Sequence, residues 1–126
     1  MRWIGQVMMV TAALAAPVSA QAADWWLIAG GPEDNALFFA DAETVVRHSA
    51  HVTVRVQRIE KSGQAIETVA HVQCSPPRRA QEESPLRRFA CSTEEERMHL
   101  GIMLGDKTPG QTARMIFAMR TGNSRP

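Results

Sequence analysis

The stretch Val52-Thr53-Val54-Arg55-Val56-Gln57-Arg58 alternates apolar and polar residues with a period of two. That pattern belongs to a strand with one face buried and the other wet. It demands a partner, and Ile66-Glu67-Thr68-Val69-Ala70-His71-Val72 supplies one a short loop away. Register then fixes the loop, because a slip of one residue turns every side chain to the opposite face. A three-residue loop, Lys61-Ser62-Gly63, sets Val52 opposite Val72, Val54 opposite Ala70 and Val56 opposite Thr68, with Ile66 on the same face. A loop of two or four residues would set Val54 against His71. Gly63 suits the left-handed position that a three-residue hairpin needs. On the other face Gln57 opposes Glu67, and Arg55 is the diagonal neighbour of Glu67.

The chain begins as an exported one does. Arg2 gives a short positive start, Val7 to Ala16 is almost wholly apolar, Pro17 breaks it, and small residues follow as Val18-Ser19-Ala20-Gln21-Ala22-Ala23. This predicts a Sec-type signal peptide over residues 1–22, cleaved near Ala20 or Ala22. The apolar run is about half of what a membrane-spanning helix needs. Of the 126 residues, a single domain of roughly 100 remains after cleavage. Loss of Arg2 leaves thirteen basic against thirteen acidic side chains, so no basic excess calls for nucleic acid.

Export changes the meaning of the two cysteines. In an oxidising compartment a lone pair in a small domain forms a disulfide. Cys74 and Cys91 are 17 positions apart, and a loop of that size stabilises a fold by about 3 kcal/mol in the chain-entropy description. A redox motif would need Cys-x-x-Cys and a structural zinc four ligands at short spacing, and neither pattern occurs.

Other elements follow from local chemistry. Residues 24–29 and 36–40 read as strands around the turn-forming Gly30 to Asn35. Asp41 to Val46 reads as a helical turn capped by Asp41. Ser75 to Arg88 reads as a linker and Leu86 to Cys91 as a short strand. Ser92 with Glu95 matches a capping box, which predicts a helix from about Thr93 to Leu104 ended by Gly105, with Leu100, Met103 and Leu104 inward. Thr108 and Pro109 start a second helix that buries Ala113, Ile116 and Phe117 and stops at Gly122. Strands first and helices last predict an α+β fold: a small antiparallel sheet with C-terminal helices packed on one side and one disulfide. The domain should cover residues 23–120, with a flexible tail over 121–126.

Five groups of residues compete for functional roles. His51 and His71 fall on one hairpin face as diagonal neighbours, without an apparent third ligand, and are read as solvated strand histidines. Glu96-Arg97-Met98-His99 is a single Glu-x-x-His, whereas a di-iron bundle needs two. Asp41 and Glu43 could pair as acid and base, but each has an ordinary role, as N-cap and in the first helical turn. No catalytic residue, metal or cofactor is therefore expected, and the chain reads as a non-enzyme. Trp25 and Trp26 are adjacent and so face opposite sides of a strand. One belongs to the core, and Trp25 is the candidate for stacking on a partner. Arg78, Arg79, Arg87 and Arg88 cluster in the inter-cysteine loop and could meet a protein or an anionic glycan of the envelope.

Taken together, Trp25 or Trp26 on the first strand, Phe39-Ala40-Asp41, the Val52–Val56 alternation and Cys74 ending a hairpin strand, all behind an export signal, resemble the surface-adhesin protein E family of small exported bacterial proteins. The resemblance spans roughly Asp24 to Cys91. It implies an antiparallel sheet with a C-terminal helix tied to it by a disulfide, and a binding role at the periplasm or cell surface. The chain departs from that pattern, since Cys91 precedes its last helices, and no ligand-binding residue is carried over. The alternative reading is a small periplasmic inhibitor or chaperone-like partner of an envelope enzyme.

The intact mass of the protein from the envelope fraction should correspond to a chain beginning at Gln21 or Ala23 and lacking two hydrogens. A mass that includes Met1 with two alkylatable thiols would contradict both the cleavage and the disulfide.

Overall fold

The computed structural model describes residues 23–74 and 84–123, the last four for their backbone only. The signal segment, Arg78, Arg79 and residues 124–126 lie outside the described residues. Five strands form one sheet: β1 (Trp25–Ala29), β2 (Ala36–His48), β3 (His51–Glu60), β4 (Ala65–Gln73) and β5 (Ile102–Met103). Their order is β4-β3-β2-β1-β5, and every pairing is antiparallel. Three helices follow the β4 strand: α1 (Pro85–Ala90), α2 (Glu94–Arg97) and α3 (Pro109–Asn123). This is the α+β class, with helices packed on an antiparallel sheet.

The β3–β4 hairpin has the expected register. Val52 pairs with Val72, Val54 with Ala70, Val56 with Thr68 and Gln57 with Glu67. The loop is Lys61-Ser62-Gly63, closed by Glu60 N–H to the Gln64 carbonyl (2.9 Å) and Gly63 N–H to the Glu60 carbonyl (2.7 Å), with Gly63 at φ 99°. The first turn rests on Gly30 at φ 102°, where a Cβ would meet the Ala36 carbonyl oxygen at 2.7 Å.

The expected single helix-covered side becomes two. Trp26, Ala40, Val52, Val54 and Val72 pack with Phe89 and Ala90 of α1. Leu27, Leu37, Phe39 and Ile59 pack with Leu104 and with Ala113 of α3, which Ile116 and Phe117 flank. Trp26 and Leu27 are neighbours on β1, so these two cores lie on opposite faces of the sheet. The physical reason is visible in β1 and β2. Trp-Trp-Leu-Ile and Leu-Phe-Phe are unbroken apolar runs, the signature of strands covered on both faces.

Four local expectations need correction. Asp41 does not cap a helical turn: β2 runs unbroken from Ala36 to His48, and residues 42–45 form a bulge between the Asp41–Arg55 and Val46–Thr53 pairs. The Asp41 carboxylate does accept the Glu43 N–H (3.1 Å), but within that bulge. Leu86 to Cys91 is not a strand. Ser84 caps α1, its hydroxyl accepting the Arg87 N–H (3.1 Å), with Pro85 in the first turn. The long helix over 93–104 is only the four-residue α2, and its capping box is Thr93 with Glu96 rather than Ser92 with Glu95. The chain leaves helix because Gly101 passes against β1, where a Cβ would lie 3.0 Å from the Leu27 carbonyl, and Ile102–Met103 extends the sheet as β5. Met103, expected inward, is consequently exposed, whereas Leu104 is buried. Finally, α3 starts as expected at Thr108–Pro109, with reciprocal Thr108–Gln111 bonds, but continues through Gly122 to Asn123, beyond the boundary drawn at residue 120.

Cys74, just after β4, is bonded to Cys91, which ends α1, and their Cα atoms are 5.6 Å apart. Arg87 adds a second tie, its Nε donating to the Gln73 carbonyl at 2.9 Å. The covalent link therefore holds α1 on the face it covers. Replacing both cysteines by alanine should lower the melting midpoint by roughly 10 °C or more, from a loss of about 3 kcal/mol in a domain of this size. Calorimetric scans with and without reductant check this, and identical midpoints would refute the assigned role.

Candidate functional site

One buried acid organises the middle of the sheet. Asp41 is 0% exposed and carries donors on both oxygens. Oδ1 accepts the Asp24 N–H (2.7 Å) and the Glu43 N–H (3.1 Å), and Oδ2 accepts from Nη2 of Arg55 (2.7 Å). Arg55 reaches it because the two residues pair directly across β2 and β3. The same guanidinium lies over the ring of Trp25 at 5.1 Å and faces Glu67 at 3.4 Å. Thr44 stitches the bulge, accepting the Arg55 N–H and donating to the Asp41 carbonyl, both at 2.8 Å. A carboxylate stays buried only when its charge and lone pairs are satisfied. Both oxygens of Asp41 are engaged in holding strands together.

This geometry changes the reading of Trp25. It is half-buried against the α3-side core, with Arg55 across its ring. One of its faces is therefore occupied within the molecule, and Trp26 is the core member of the pair. The arginines also separate. Arg87 is bound to the end of β4, while Arg88 is exposed beside Ser92, Glu96 and His99. Arg78 and Arg79 lie outside the described residues.

Among the described residues, the α1 side of the sheet is covered at only one end. Past Val54, the cross-strand row Phe38–Arg58–Ile66 stands open, with Phe38 36% and Ile66 40% exposed. The Arg58 guanidinium lies 5.8 Å from the Phe38 ring centre and 3.5 Å from Glu60. Beside this row runs β4, a nine-residue edge strand with Val69 exposed on its other face. Among the described residues nothing covers this row or pairs with the outer edge of β4, and such a surface can accept another molecule. Sequence alternation placed Ile66 correctly but missed Phe38, because a Phe-Phe pair does not say which ring is covered.

The hairpin histidines gain a neighbour. His51 and His71 lie with ring centres 6.3 Å apart, and His48 stacks on His51 at 5.0 Å. The sequence hides His48, because the helical turn expected over Asp41 to Val46 takes the far end of β2 out of the sheet. Among the described residues, no three His, Cys, Asp or Glu side chains converge to hold a metal ion as they stand.

No family model, curated protein or solved structure matches this chain.

Asp41→Ala should destabilise the fold by about 3 kcal/mol or more, since it strips a buried ion pair and two backbone donors of their partner. Glu67→Ala, at the exposed end of the same network, should cost under about 1 kcal/mol. Urea unfolding of the two variants checks the order, and equal losses would show that Asp41 is not the organising group.

Proposed function

We propose that this chain is an exported bacterial envelope protein that acts as a non-enzymatic binding module of the surface-adhesin protein E type. The observation that carries the reading is the uncovered Phe38–Arg58–Ile66 row beside the free edge of β4. An exposed apolar row with one cation at its centre, on the same face as the α1-side core, favours a protein partner over a free anion. The Asp41 carboxylate supports the same view, because it is committed to backbone donors and Arg55 rather than to acid–base chemistry. Export by a Sec-type route, with cleavage near Ala20 or Ala22, places the module in the periplasm or at the cell surface. The Cys74–Cys91 disulfide fits a chain that folds where thiols oxidise. No helix among the described residues is long and apolar enough to cross a membrane.

Photo-crosslinking in intact cells tests this. A photoreactive residue at Ile66 should give one discrete heavier adduct, whereas the same group at Met115, exposed on α3, should give none. No adduct at position 66, or equal adducts from both positions, would overturn the assignment of this surface.

A further inference from the structure

The sheet ends on one side in the two-residue β5 and on the other in β4, nine residues that pair with β3 without a bulge. The bonds just beyond the two ends of β4 show which of its backbone groups point outward. The Gln64 carbonyl accepts the Glu60 N–H, and the Cys74 N–H donates to the Ala50 carbonyl, both at 2.9 Å. Bonded and non-bonded pairs alternate along an antiparallel ladder. The even-numbered residues of β4 therefore turn their N–H and C=O groups towards β3. Ala65, Glu67, Val69, His71 and Gln73 turn theirs outward, and among the described residues no strand pairs with that edge. Proteins guard such an edge with Lys, Pro, a bulge or brevity. β4 has no Lys, Arg or Pro, its register is unbroken, and it is long.

We infer that β4 pairs with β4 of a second copy of this chain, antiparallel and about a two-fold axis through Val69. Val69 is the midpoint of the strand, so this register overlaps all of it. It is also one of the residues whose backbone groups face outward, so the five outward residues of each copy exchange bonds with the five of the other. The side chains agree with the axis. Glu67, the one carboxylate of β4, falls opposite His71 of the second copy, twice across the two-fold. Glu67 accepts from Gln57 at Oε1 (3.0 Å) and faces Arg55 at Oε2 (3.4 Å). A carboxylate has about four acceptor sites, so it retains room for an imidazole N–H, which His71 carries in either protonation state. A two-fold through Glu67 would instead set carboxylate against carboxylate. On the same face Val69, 60% exposed, meets its own counterpart, and on the other face Ile66 meets Val72 and Thr68 meets Ala70. The pairing uses the backbone edge of β4 and leaves Phe38 and Arg58 facing outward, so it goes beyond the binding role proposed above and stands or falls separately from it.

Sedimentation equilibrium of the purified, disulfide-bonded protein tests this, with melting scans to show that each variant is folded. The average mass should rise with concentration from one chain towards two and no further. His71→Glu, at an exposed position, sets carboxylate against carboxylate and should weaken association at least tenfold. Adding Glu67→Lys to it sets a cation against each carboxylate and should restore the dimer. Val69→Pro removes an outward N–H, spares the bonds to β3, and should also leave single chains. The mass of one chain at every concentration, unchanged association in both His71→Glu and Val69→Pro, or no recovery in the folded double variant would each overturn the pairing. A single-chain mass would leave capture of a different protein by the Phe38–Arg58–Ile66 row standing.

Discussion

A charged group held out of water in the middle of the sheet is the constraint from which most of this structure follows. Burying a carboxylate costs several kcal/mol unless its charge and lone pairs are met. Asp41 is met by Arg55 of β3 and by two backbone donors, one at the start of β1 and one in the bulge of β2. Three strands are therefore locked at one point, and the bulge is part of the lock. By displacing residues 42–45 from the regular ladder, it lets Ala42 and Val45 reach the core beneath α1 while Asp41 stays on the opposite face. The same guanidinium covers Trp25, so the electrostatic centre and the edge of the α3-side core share one side chain.

Around that lock, the sheet carries two small cores instead of one large one. A chain of this length has limited apolar surface to bury, and dividing it between two faces leaves each layer thin. The two layers are secured by different means. On one face a disulfide and the Arg87–Gln73 contact fasten α1. On the other, α3 depends on its Thr108–Gln111 capping box and the packing of Ala113, Ile116 and Phe117. Among the described residues neither helix extends over the Phe38–Arg58–Ile66 row, which leaves that stretch of the sheet exposed.

The parts that were legible in the sequence are those where one local signal dominates. The hairpin register could be read because only one loop length puts valines against apolar partners, and the start of α3 because Thr-Pro followed by Gln has a single sensible geometry. Ser84-Pro85 carries nearly the same signal for α1, yet it was overridden by the Pro-rich stretch before it. In Ser92-Thr93-Glu94-Glu95-Glu96, two capping boxes one residue apart are chemically equivalent, and only packing selects Thr93. Asp41 was harder still. Its carboxylate does accept a nearby backbone N–H, as a cap would, but the decisive partners are Asp24 and Arg55, 17 and 14 positions away. Misreading that stretch also hid His48, because a residue can join a cross-strand cluster only if its strand is recognised. Phe38 and the second core were veiled by unbroken apolar runs, which announce double-sided burial without saying what lies on either side.

The unequal fastening of the two helical layers has a consequence for how the molecule comes apart. With the sulfur bridge intact, α1 remains leashed to the end of β4 even when its contacts are lost. No such leash exists for α3, which follows the two-residue β5 and closes the described chain. Stability in such a structure is distributed in cooperative blocks rather than evenly. Detachment of α3 would uncover Leu37, Phe39 and Ile59, whereas loss of the α1 contacts would still leave Cys91 joined to Cys74, so the two faces of the sheet are exposed to opening unequally.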